Sequence, residues 1–370
     1  MNKAIYLCAA AALAMASCSN DELVEVAKND AINFRTVVGL NTKATEVKTA
    51  DLDTKGVYVT TFDANGELLF GETHYTKQGL EWTAGQYWGN NTTLDFYLTL
   101  PALNDWVTGA SLTKDSKKLT GVTVKDNIAE QVDLVAKKAT GTKATNTTTT
   151  VELEHVLSQI EIKAKNTNDN YVYKVKGVRI TNVSSKGDID LSSNTWSNIS
   201  STPGDIKSYK VEYADTKEIT LGTAESTLTV KTEDGTTVDN AMLIPQGATT
   251  AWNGSDKSVD GTTPVAGTYI SVLVNITAKN GGAAVYPKAE GKYGWVAVPV
   301  AFTWEKGNKY IYTLDFTNGA GKVDPVNPGP DVQPGGADPD KAQPVLGDEI
   351  KFTVTVKEWA PQTEIKPSMN

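Results

Sequence analysis

Apolar residues in this chain recur at every second position far more often than at helical spacing, and turn residues interrupt them at about every tenth position. A strand sends alternate side chains to opposite faces, so this pattern dictates half-buried β-strands. Ile32, Phe34, Thr36 and Val38 line one side of a first strand, and Val57, Val59 and Phe62 belong to a second. Asn65-Gly66 then supplies the positive φ angles of a tight turn that returns through Leu68 and Phe70. Similar segments follow over 94–100, 129–136, 151–164, 172–183, 218–231, 269–278, 295–304 and 310–316. Helical crossovers of roughly 10–15 residues are missing between them, which argues for an all-β fold of packed sandwiches over a parallel sheet or a barrel.

Two composition breaks divide the chain. The 370 residues allow two domains of ordinary size, each able to bury a core. A polar, asparagine-rich stretch from Asn166 to Asn170 separates an N-terminal β-sandwich over 31–166 from a C-terminal one over 167–317. The second break is sharper: residues 318–348 carry Pro325, Pro328, Pro330, Pro334, Pro339 and Pro344 among Gly, Asp and Gln. Proline cannot donate to a ladder, so this segment reads as an extended, polyproline-like linker.

Beyond the linker, within 349–370, lies one last strand, Ile350-Lys351-Phe352-Thr353-Val354-Thr355-Val356, followed by Trp359. Its apolar residues alternate strictly with polar ones, so it must pair with a sheet. Two pairings fit: closure of its own C-terminal sheet, or addition to the sheet edge of a partner, where main-chain bonds give affinity and alternate side chains fill pockets. The first and last strands have equal length and matching alternation, so the two are able to compete for one groove.

At the N-terminus, Lys3 precedes an apolar run over 4–16 that ends in Ala16-Ser17-Cys18. The run is shorter than the roughly 20 residues a membrane span needs, and reads as a secretory signal over 1–17. Met15-Ala16-Ser17-Cys18 looks like a bacterial lipobox, which makes Cys18 the acylated first residue of the mature chain and leaves it the only thiol, since Cys8 lies in the signal. Two or three acyl chains anchor stably. Ser19-Asn20-Asp21-Glu22 opens an acidic tether over 18–30 that resembles an export signal to the outer leaflet of the outer membrane.

Composition narrows the chemistry. A net charge of −9, from 44 acidic and 35 basic residues, gives no basic footprint for nucleic acid. The two histidines, His74 and His155, stand far apart and form neither a zinc set nor a Cys/His pair; His155 reads as a packed or hydrogen-bonded strand residue. Asp51-Leu52-Asp53-Thr54-Lys55-Gly56 begins like a calcium loop, but Lys55 and Phe62 occupy ligand positions. Nucleophile elbow, P-loop and dinucleotide fingerprints are missing. The reading is therefore no enzyme, no catalytic residue, no cofactor and no metal. Eight tryptophans leave one rival open, stacking of exposed Trp82, Tyr87 and Trp88 on a glycan.

Taken together, the lipobox, Gly56-Val57-Tyr58-Val59, Phe62-Asp63 with Asn65-Gly66, Asp95-Phe96-Tyr97, Gln131-Val132-Asp133-Leu134, Leu153-Glu154-His155-Val156-Leu157, Ala241-Met242-Leu243-Ile244-Pro245-Gln246, Trp304 with Lys306-Gly307 and Tyr310, and the terminal strand resemble the fimbrillin (Mfa-like) family of Bacteroidetes. That resemblance implies two tandem β-sandwich domains of transthyretin-like, Greek-key type. It implies a subunit of a type V surface fimbria that serves adhesion or biofilm formation, held to the outer membrane through Cys18. Its partners are other pilin subunits and a surface receptor or glycan. It further implies protease-triggered strand exchange: the first strand (Ile32, Phe34, Val38) is shed after a cut at a basic residue, ranked here Lys43, Lys48, Arg35. A neighbour's last strand (Ile350, Phe352, Val354, Val356, Trp359) then fills the groove. The alternative is a non-polymerising adhesin, glycan-binding lipoprotein or pilus anchor of the same fold.

Overall fold

The computed structural model describes residues 31–38, 47–143 and 148–359. Cys18 and Lys43 lie outside them. The first half supplies β1 (Ala31–Val38), β2 (Val57–Asp63), β3 (Leu68–Gln78), β4 (Glu81–Tyr87), β5 (Thr93–Leu100), β6 (Lys118–Thr123), β7 (Val135–Thr142) and β8 (Thr148–His155). The second supplies β9 (Ser158–Lys165), β10 (Tyr171–Ser184), β11 (Lys186–Asp190), β12 (Thr195–Ser197), β13 (Ile206–Glu212), β14 (Ile219–Thr220), β15 (Ser226–Thr227), β16 (Ala241–Leu243), β17 (Tyr269–Ala278), β18 (Ala284–Tyr286), β19 (Gly294–Pro299), β20 (Asn308–Asp315), β21 (Lys322–Val323) and β22 (Lys351–Glu358). The all-β reading holds, with two short helices, Thr49–Lys55 and Leu103–Trp106, among the described residues.

The first half corrects one expectation, because its sheet closes on itself as a seven-stranded barrel in the order β1-β4-β3-β2-β5-β7-β8. The physical reason is β1. It pairs antiparallel with β4, Phe34 opposite Trp82, and parallel with β8, from Asn33 opposite Thr148 to Val38 opposite Leu153. A strand bonded on both sides leaves no open edge, and alternation alone does not say whether a sheet closes. The interior is filled by Ile32, Phe34, Val57, Val59, Tyr75, Trp82, Trp88, Leu94, Phe96 and Leu98.

The chain leaves the barrel at Val156-Leu157, ahead of the asparagine-rich stretch. β9 already belongs to the second half, parallel to β20 in the sheet β15-β9-β20-β22. A facing sheet, β13-β10-β17-β19-β21, packs on it through Ile160, Ile162, Val175, Val178, Val272 and Val274. The halves are also joined by hydrogen bonds, since β6 of the first pairs with β11 of the second.

Two local expectations differ from the structure. Residues 128–130 form a 3-10 turn because Asn127 Oδ1 caps the Ala129 amide, and the strand starts only at Val135. The proline-rich segment 318–348 is folded against the sheet, not extended. Asp324 is fully buried, accepts from Ser271 Oγ at 2.7 Å and pairs with Arg179 at 2.5 Å, while its other oxygen caps Val326 and Asn327. Buried Asp338 likewise accepts the amides of Lys288 and Gln333. Carboxylates thus satisfy the backbone where prolines forbid a ladder.

Candidate assembly site: the first and last strands

β1 lies in a groove between β4 and β8, with Ile32, Phe34, Thr36 and Val38 each at most 1% exposed. Phe34 meets Tyr75 edge-on at 5.1 Å and Phe96 at 5.0 Å. Burying Ile, Phe and Val contributes about 1.5–3 kcal/mol each, so these three contribute roughly 5–9 kcal/mol as an upper estimate. Burial also pushes the Tyr75 phenol up, and among the described residues its hydroxyl has no partner.

The outward face of β1 is mixed, with Ala31 and exposed Val37 beside Asn33 and Arg35. Asn33 donates to Glu81 at 3.1 Å, and Arg35 sits 3.7 Å from the same carboxylate. The arginine side chain is exposed, but its backbone lies in the ladder with β8 opposite Thr150. Past the strand, Val38 exchanges hydrogen bonds with Thr49 Oγ1, and the Val47 amide donates to Asp133 Oδ2 at 2.9 Å. Lys48 lies between these clamps. Its amide is held by Asp51 Oδ2 at 2.8 Å, and its carbonyl accepts from the Asp51 and Leu52 amides that open the helix.

β22 is the opposite case. Among the described residues it pairs with one neighbour only, antiparallel to β20 from Lys351 opposite Asp315 to Glu358 opposite Asn308, and all eight of its own residues are exposed. Phe352, Val354 and Val356 are 37%, 43% and 54% exposed. Only its flanks are pinned. Ile350 is buried beside Gly321, and Trp359 stacks on His155 at 4.1 Å with 7° between the rings.

That stack closes a node which pattern reading does not reveal. His155, at the end of β8, contacts Asp133 Oδ2 through Nδ1 at 2.8 Å, so one buried carboxylate holds both the segment after β1 and the seat of Trp359. The Trp359 amide donates to Gly307 at 2.7 Å. His155 is the packed, bonded residue expected of it. On β9, in the sheet that carries β22, burial would raise the Glu161 carboxyl, but the Lys309 ammonium at 2.6 Å, with Lys163 and Thr227, outweighs it and holds the group low.

The aromatic platform expected for glycan stacking does not form. Trp82 and Trp88 are 4% and 1% exposed, leaving Tyr87 alone at the surface. Trp252 is buried, and Trp196 donates to Val156 O at 2.6 Å. Among the described residues, no aromatic ring lines a cavity of about 560 Å³ between 182–184, 199–206, 246–250 and 264–268. Among the described residues no cluster of three His, Cys, Asp or Glu is arranged to hold a metal, and no helix is long and apolar enough to cross a membrane.

Fold and site together define an all-β protein with a strand-completed barrel and a bare terminal edge strand. The chain belongs to the fimbrillin-like family, whose profile matches residues 42–359. No curated protein matches its sequence. Among solved structures it is similar to a Parabacteroides distasonis protein provisionally described as a cell adhesion protein, at 13% identity, 89% and 100% of the two chains covered and a TM-score of 0.48. A Bacteroides eggerthii protein described in the same way gives 15% identity, 90% and 97% coverage and a TM-score of 0.47. The tip fimbrial protein Mfa3 of Porphyromonas gingivalis, solved with a C-terminal truncation, gives 11%, 89% and 99%, and 0.36. Family membership makes a fimbrial subunit the functional class.

Proposed function

We propose that this chain is a structural subunit of a surface fimbria that polymerises by protease-triggered strand exchange and serves adhesion or biofilm formation. Beside the closed barrel of its first half, its second unit is of transthyretin-like, Greek-key sandwich type. The precursor is held at the outer membrane by lipid on Cys18. A cut beyond β1 sheds that strand with its lipid, and a neighbour's β22 enters the vacated groove. The observation that carries this reading is the contrast between the two strands: β1 is bonded on both sides and buried, β22 is bonded on one side and bare.

Hydrogen bonding weighs against a cut at Arg35 or Lys48, and Lys43 stays the first candidate on its place in the polar stretch after β1. A protease needs extended, unbonded backbone, and both Arg35 and Lys48 are bonded through theirs. The test is limited trypsin treatment of the soluble precursor, with N-terminal sequencing and size analysis, beside a chain truncated after Gly347. One cut near Lys43, with oligomer ladders that vanish on truncation, is the expected result. An uncut, persistent monomer would instead identify an anchor or non-polymerising adhesin. Cys18→Ser should move the chain from the membrane fraction to the soluble one.

A further inference from the structure

We infer that the donated strand enters the groove in the direction and register of β1, with Ile350, Phe352, Val354 and Val356 in the seats of Ile32, Phe34, Thr36 and Val38, and that Thr36 makes the resident strand the weaker occupant. This rests on the strand-exchange reading and adds to it a register, a direction and a specificity-determining position.

The register follows from side-chain volume. Set in the same direction, the inward residues match as isoleucine on isoleucine, phenylalanine on phenylalanine, valine on threonine and valine on valine. Reversed, Val354 would stand in the pocket that Phe34 shares with Tyr75 and Phe96, and Phe352 in the narrow seat of Thr36. Close-packed interiors tolerate volume-conserving swaps and penalise both cavities and overpacking, so only the same direction fits all four seats. A slip by one residue is excluded, because it would turn Lys351, Thr353 and Thr355 into the core.

The bias follows from Thr36. It is 1% exposed, and its Oγ1 has no hydrogen-bond partner among the described residues, whereas the other three inward residues of β1 are wholly apolar. Valine has the shape of threonine without the hydroxyl, so Val354 fills the same seat with no unsatisfied polar atom. On the donor side Val354 is 43% exposed where it now lies and gains burial by moving. The precursor's own strand is thus well enough fitted to keep the barrel closed, yet inferior at one position to the strand that replaces it.

Two measurements test this on the full chain. In the first, Glu152, which faces Val37 across β1 and β8, is replaced by Cys together with either Thr355→Cys or Lys351→Cys. The same-direction register puts Thr355 in the place of Val37 and predicts intersubunit disulfides for the Thr355 pair and none for the Lys351 pair. In the second, Thr36→Val should raise the precursor melting temperature by about 2–4 °C and slow ladder formation after trypsin by about tenfold. Val354→Thr should slow ladder formation to a similar degree with the precursor melting temperature unchanged. Links through the Lys351 pair, or through neither pair in oligomers that still need the last strand, overturn the register and leave strand exchange standing. An unchanged melting temperature for Thr36→Val, or unchanged rates for both variants, overturns the bias. Oligomers that persist after truncation at Gly347 remove strand exchange itself.

Discussion

Phenylalanine occupies equivalent positions in the first and last strands, and truncating each should have opposite consequences before and after processing. In the precursor Phe34 is fully buried with two edge-on aromatic partners, so Phe34→Ala should cost about 3–5 kcal/mol, toward the upper end because a closed barrel collapses poorly around the cavity. Phe352 is 37% exposed on an edge strand, and Phe352→Ala should stay within about 0.5 kcal/mol of the parent. With a urea dependence of about 3 kcal/mol per molar, the first change lowers the midpoint by roughly 1–1.7 M and the second by less than roughly 0.2 M. Trp82 and Trp88 lie in the same barrel core and report its unfolding by fluorescence. In the assembled, processed form the order should invert. Phe34 has been shed, so its substitution is silent, while Phe352→Ala weakens the polymer by the amount Phe34→Ala cost the precursor. A precursor equally sensitive to both changes would refute the account, because the last strand would then be buried at home. So would a Phe34→Ala precursor as stable as the parent, because the groove would then not depend on β1.

Three further outcomes follow from the same geometry. Asp133→Ala orphans the buried Val47 amide, at about 1–3 kcal/mol, and takes the carboxylate away from His155 Nδ1; it should speed tryptic cutting at Lys48 as read by mass spectrometry. Glu161 has its folded pKa below the ordinary value of 4.5, so its contribution is complete above that pH and is lost as pH falls through the folded value. Thermal stability should therefore drop on acidification below about pH 4.5, and Glu161→Gln should flatten that limb of the profile. Gly319→Ala would place a methyl 1.6 Å from the Asp348 carbonyl oxygen and should destabilise the protein by about 1–3 kcal/mol in calorimetry. In a free, extended linker the same change would be neutral or slightly stabilising.

The strands themselves were legible because their inward positions obey a period of two. Ile32, Phe34, Thr36 and Val38 are buried as their spacing requires. What alternation cannot encode is the partner. The parallel contact of β1 with β8 joins residues far apart in the chain, and barrel closure depends on it. Composition misled at 318–348, where prolines removed amide donors but Asp324 and Asp338 supplied acceptors and the segment folded. The Asp133–His155–Trp359 node was illegible for a related reason: its members come from a loop, a barrel strand and the chain's far end, and each looks ordinary in its own window.

On the strand-exchange reading proposed above, a donated strand faces conflicting demands, and the composition of β22 fits their reconciliation. It must carry apolar residues able to fill a core, yet remain at a bare sheet edge without pairing indiscriminately. Edge strands in soluble proteins are commonly blunted by lysine, and β22 begins with Lys351 and ends with Lys357 and Glu358, with Thr353 and Thr355 between. The pins at Ile350 and Trp359 place most of its buried contact outside the exposed segment, so the strand is held by its ends and by the ladder to β20. Packing of 318–348 through Asp324 and Asp338 removes the slack a flexible leash would have given. Local release therefore needs few contacts broken at the strand itself, while wandering into a groove of the same chain would require the folded segment to come away as well.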